Sequence, residues 1–155
     1  MNLDLSSTQD WIRRVSLTHG AEGLCDSDWR FVAASASLLS SLRVTEDAFV
    51  GRRASEIPQF RAYASALAAI PLFDGTLRGV QFRSESWVDG ELTAKDLDFW
   101  TICTGDGALL VHIVATKVQR REHGARFAGF RVSNVRAILL DGRTISGDAH
   151  LAFLS

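Results

Sequence analysis

Residues 26–57, DSDWRFVAASASLLSSLRVTEDAFVGRRASEI, change period part-way along, and the reading of the fold starts there. Residues 29–34, WRFVAA, form a short run rich in apolar and aromatic side chains. With Gly23, Leu24 and Cys25 before Asp26-Ser27-Asp28 they predict two short strands joined by a tight turn, because Asp and Ser hydrogen-bond to nearby backbone and stabilise turns. After residue 36 the pattern turns helical. Leu38, Leu39 and Leu42 fall on one side of a short helix over 37–42, Thr45 can cap a second over 45–50, and a third is expected over 53–57. Gly51 and Pro58 separate these pieces.

Working outward, Ser7 followed three residues later by Asp10 is an N-cap signature. Trp11, Ile12 and Val15 then make a narrow apolar stripe, and Gly20 is available as a left-handed stop. Towards the C-terminus, Phe60, Tyr63, Ala64, Leu67 and Ile70 recur at helical spacing until Pro71, so residues 59–70 are expected to form the longest helix. Residues 80–88 alternate as a strand up to Asp89-Gly90. Residues 97–103, 108–118 and 126–136 carry β-branched and aromatic side chains between Gly-containing turns, which predicts a three-stranded antiparallel meander. The pattern of residues 139–155 leaves strand and helix open.

The bulk properties restrict function. The chain has 155 residues, 46% of them hydrophobic, enough for one packed core. Its 17 basic and 18 acidic residues leave a formal charge of -1, so neither nucleic acid nor an anionic membrane is favoured as a partner. No apolar run approaches the ~20 residues of a membrane-spanning helix, and the first residues lack a basic signal-peptide start. Cys25 and Cys103 have neither disulfide-framework number nor metal-ligand spacing, which suits a reducing, cytoplasmic setting. No nucleophile elbow, P-loop or HExxH motif is present; Asp98 with His112 is the one conceivable acid/base pair for a small cone-like α+β enzyme.

Residues 26–57 resemble the opening of PAS domains, which often run D-x-x-G-R-I-V-x-A-N-x-A-F and later E-E-L-x-G-R-x-x-S-E-L; the spacing from Glu46-Asp47 to Gly51-Arg52 carries the likeness. Residues 104–132 resemble the later PAS strands, with Gly129-Phe130-Arg131 in place of the terminal G-Y-R signature. Ser35 stands where many members have Asn, Val132 replaces a Gly, and Arg136-Ala137-Ile138 replaces the usual Asp-Ile-Thr exit. The resemblance implies an α+β fold with a five-stranded antiparallel sheet, short helices on one face and an N-terminal amphipathic helix. It divides the chain into that helix (1–20), the PAS-like domain (21–138) and an extension or linker towards an output domain (139–155).

By the same resemblance, the function is that of a sensor or interaction domain from a signalling protein such as a histidine kinase or diguanylate cyclase, with docking alone as the alternative and no catalysis of its own. The implied ligand-lining residues are Phe99, Trp100, Cys103, His112 and Arg131 from the sheet and Tyr63 from the long helix. Arg131, in an otherwise apolar strand, must either point to solvent or pair with an anion, which a carboxylate ligand or Glu85 can supply. A buried His112 likewise needs a partner for its ring. No cofactor is specified: the reactive-Cys motif of flavin-binding members is absent, and residues 59–70 contain no His for a haem. Residues 108–118 are apolar on both faces, so something must cover the second face: the stripe of Trp11, Ile12 and Val15, a second subunit in a homodimer, or a partner domain.

Overall fold

A computed structural model of the chain describes residues 2–3, 6–57, 60, 72–73, 75–88, 90–122, 129–146 and 151–154. After a two-residue strand β1 (Asn2–Leu3), helix α1 runs over Thr8–Leu17. It starts as the sequence predicts: the Ser7 hydroxyl accepts from the Asp10 amide at 3.1 Å while the Asp10 carboxylate accepts from the Ser7 amide at 3.2 Å. It ends earlier than expected. Thr18 is extended, and its hydroxyl donates to Glu22 at 2.9 Å, so the chain leaves the helix before Gly20 can act as a stop.

Strands β2 (Ala21–Asp26) and β3 (Phe31–Ala34) form the expected hairpin. The Asp26 carboxylate closes its turn by accepting from the amides of Asp28 at 2.9 Å and Arg30 at 3.0 Å. Trp29 pays for the reversal with a left-handed φ of 58°. Helix α2 (Ala36–Leu42) follows, capped by the fully buried Ser35, whose hydroxyl oxygen accepts from Leu38 N at 3.2 Å and also from Glu22 N in the hairpin at 2.9 Å. That second bond ties the cap to the sheet and gives Ser35 a role that its place in the sequence did not disclose. Instead of a helix, residues 45–50 make consecutive turns that end at Gly51, with φ 87°. Gly51 N donates to Phe31 O at 2.7 Å, drawing the segment back to the hairpin. The third short piece is a 3-10 turn, Ala54–Glu56. Of the helix expected over 59–70, only Phe60 lies within the described residues.

The remaining strands are β4 (Leu77–Val88), β5 (Glu91–Cys103), β6 (Leu109–Glu122), β7 (Gly129–Leu139), β8 (Thr144–Ser146) and β9 (Leu151–Leu154). Among the described residues the sheet has nine strands, in the order β3-β2-β6-β5-β4-β7-β8, with β1 added to β5 and β9 to β7. All pairings are antiparallel except β1 with β5. The fold is therefore α+β, but the sheet is larger than the five strands expected, and the meander is displaced by one strand. It consists of β4, β5 and β6, because residues 91–96 continue β5 with Leu92 and Ala94 buried. The strand containing Gly129-Phe130-Arg131 does not follow β6 in space. The free edge of β6 is taken by β2, so β7 pairs with β4 on the opposite side. The described residues after 138, whose pattern left strand and helix open, form strands: Gly142, at φ 88°, turns the chain so that β8 pairs with β7, and β9 adds to the same strand.

Side-chain alternation along the strands creates two cores. On one face Cys25, Val80, Phe82, Leu97, Phe99, Val111 and Ile113 pack with Phe31, Phe49, Ile57 and Leu72. Here the rings of Phe31 and Phe49 lie 4.1 Å apart, and those of Phe82 and Phe99 5.2 Å. On the opposite face α1 lays Trp11 and Val15 over Leu24, Ala33, Ile102 and Leu110, with Ile12 at the margin. The helix is anchored at its start, where Asp106 in the β5–β6 turn accepts from the amide and hydroxyl of Thr8.

Candidate functional site

The residues expected to line one cavity divide between the two faces. Phe99 and Cys103 share the parity of the first core; Phe99 is 2% exposed and meets Phe82 and Trp29, so it fills the interior. Cys103 is half-buried and Cys25 buried, both as free thiols, and burial pushes the Cys25 thiol well above its ordinary pKa. Trp100 and His112 have the opposite parity and lie opposite one another on β5 and β6, on the face that α1 covers. Tyr63 lies outside the described residues.

His112 and Arg131 have each found a partner within the chain. His112 Nε2 lies 2.5 Å from Glu22 Oε1, and its ring is 5.2 Å from that of Trp11. This pair uses the carboxylate of β2 rather than Asp98, so His112 and Asp98 do not form the acid/base pair that their sequence allowed. Arg131 is held by Glu85, directly opposite on β4, through its Nε at 3.2 Å and through Nη2. Of the two anions considered, the internal carboxylate is the one in contact. Glu85 is itself 8% exposed, and the desolvation of its charge is compensated by Arg131 and by Arg83 at 4.0 Å. Trp11, Ile12 and Val15, the stripe considered for a partner, lie against the chain's own sheet.

Gly79 is a residue that sequence reading passed over. It sits opposite Trp100, and a Cβ there would fall 2.6 Å from Phe99 O and 2.7 Å from the Trp100 ring. The absent side chain lets the indole come close to the β4 backbone. We expect Gly79→Ala to lower stability by about 1–3 kcal/mol, the usual range for overpacking, and to shift Trp100 fluorescence, as read by urea titration. An unchanged midpoint would mean that the indole moves aside freely.

Beyond Trp100 the same face becomes polar. Across β7, β4 and β5 one row reads Arg136, Gln81, Asp98, and the next Ser133, Arg83, Asp96. Between the rows β7 carries an extra residue: Asn134 and Val135 together oppose Phe82, and Asn134 takes a left-handed φ of 54°. Apart from Ser133, which is buried, the side chains of these rows line an open groove of about 610 Å³ together with Asn134, within the size range of small-molecule sites. Burial raises the Asp98 carboxyl above its ordinary pKa; a hydrogen bond from Gln81 opposes that shift and the charge of Asp96 adds to it.

Compared with known proteins, the chain matches no family model, no curated protein and no solved structure.

Among the described residues no group of three His, Cys, Asp or Glu side chains is placed to hold a metal ion. No described helix is long and apolar enough to cross a membrane. Along this sheet face the side chains offer charge pairing and hydrogen bonding, with α1 at one end and the groove at the other.

Proposed function

We propose that the chain is a regulatory sensor or interaction domain of the PAS type, acting within a signalling protein by docking or dimerising and by taking up a small ligand. The observation that carries this reading is the order of elements. Among the described residues a hairpin, helix α2 with the turns that follow it, and a three-stranded meander succeed one another, and the hairpin closes onto the last meander strand so that α2 and those turns share one face. The groove on the other face gives a small ligand somewhere to bind. Because α1 already covers the apolar patch beside it, a partner would contact other surfaces. The exposed large apolar side chains Leu140 and Ile145, both in the β7–β8 hairpin, supply contacts of that kind.

Native mass spectrometry of the purified chain across a concentration series tests the reading. The expected result is a concentration-dependent dimer, a retained small molecule, or both. A chain that stays monomeric and ligand-free at every concentration overturns it.

A further inference from the structure

The groove contains more charge than it neutralises internally. Arg83 donates to Asp96 at 3.4 Å, so those two charges compensate one another. Arg136 and Asp98 do not have that benefit. Among the described residues neither has an ion-pair partner, and they stand on either side of Gln81, on strands separated by β4. Two strand spacings put their backbones about 10 Å apart, and the long arginine side chain can reach back across that gap. The bulge at Asn134 changes the direction of β7 beside Arg136 and adds an amide to the rim.

A ligand that satisfies both groups must carry both charges. A simple dianion would meet Arg136 but be repelled by Asp98 and Asp96; a diamine would meet Asp98 but be repelled by Arg136 and Arg83. A guanidinium suits a carboxylate because its fork matches the two oxygens, while a carboxylate accepts from an ammonium. The Gln81 amide between them offers a donor and an acceptor to the middle of the molecule. We propose that this groove binds a small zwitterion of amino-acid size, with its carboxylate on Arg136 and its protonated amine on Asp98. The inference rests on the PAS reading only in placing a small ligand in this groove, and goes beyond it by naming the chemical class of that ligand.

Titration of the 155-residue chain by NMR tests it, using glutamine and 4-aminobutanoate as zwitterions, succinate as the dianion and putrescine as the diamine. The expected result is saturable shifts with at least one zwitterion, at an affinity about tenfold or more above that for succinate and putrescine. Both Arg136→Gln and Asp98→Asn should weaken zwitterion binding by about tenfold while leaving the thermal unfolding midpoint close to that of the parent. If succinate binds as well as the zwitterions and Asp98→Asn tightens it, the site is a plain anion site and the proposal fails. It fails equally if none of the four probes produces saturable shifts. Either failure leaves the native mass spectrometry result untouched, so the two readings can be rejected separately.

Discussion

Replacing Lys95 with methionine should make the protein more stable at neutral pH, by about 3 kcal/mol, and the gain should vanish at high pH. Lys95 is half-buried on β5, opposite the buried Ser84 and on the same side of the strand as Leu97 and Phe99. Burial of the ammonium, with a smaller contribution from the nearby Arg120 charge, lowers its pKa from 10.5 to about 8. A shift of that size corresponds to roughly 3 kcal/mol of penalty on the charged form in the fold. Below pH 8 the lysine is protonated in both folded and unfolded chains, and the penalty is felt in full. Between about 8 and 10.5 the unfolded chain binds the proton and the folded one does not, so the stability of the parent rises with pH. Above 10.5 both forms are neutral and the penalty is gone. Urea titrations of parent and Lys95→Met at pH 7, 9 and 10.5 should therefore converge. A stability difference independent of pH would assign the effect to packing and remove the buried charge as its cause.

Trp11→Ala should act in the opposite direction, costing about 3–5 kcal/mol, the range for deleting a buried large aromatic. Trp11 is 8% exposed, and α1 depends on it and on Val15 to cover Leu24, Ala33, Ile102 and Leu110. Once that cover loosens, an apolar patch reaches solvent, and the variant should self-associate at concentrations where the parent does not. Trp11→Phe provides the contrast. Among the described residues the indole Nε1 is buried without a hydrogen-bond partner, and an unsatisfied buried donor is costly. Phenylalanine keeps most of the ring contact without that donor, so its cost should be below about 1 kcal/mol. Denaturant titration with light scattering on both variants checks this. Equal losses for Ala and Phe would show that the indole nitrogen, not ring packing, holds the helix.

These two residues illustrate how far the chain could be read without its structure. The cap at Ser7 and Asp10, the stripe of Trp11, Ile12 and Val15, and the Asp26-Ser27-Asp28 turn were legible because their interactions span four residues or fewer. Alternation marked most of β4, β5 and β6 for the same reason. The stretch 91–96 was missed although Leu92 and Ala94 alternate with polar residues there, because Lys95 and Asp96 make it look like a loop. For Arg131 the sequence left solvent, Glu85 and a ligand carboxylate open; its register opposite Glu85 decided among them. The ring partner of His112 was hidden because Glu22 lies ninety residues away.

The sequence by itself determined an α+β chain with a capped N-terminal helix, a hairpin closed by carboxylate-stabilised turns and long strands whose two faces differ in polarity. Those properties depend on backbone propensity and on side-chain period, which act over a few residues. The tertiary structure decided which strands became neighbours. Strand β2 occupied the edge of β6 and sent β7 across to β4, and that pairing brought Arg136, Gln81 and Asp98 into one row. A one-residue change of register would have turned the same side chains to the other face. The candidate site is a product of strand order and register, and neither is encoded in any single segment.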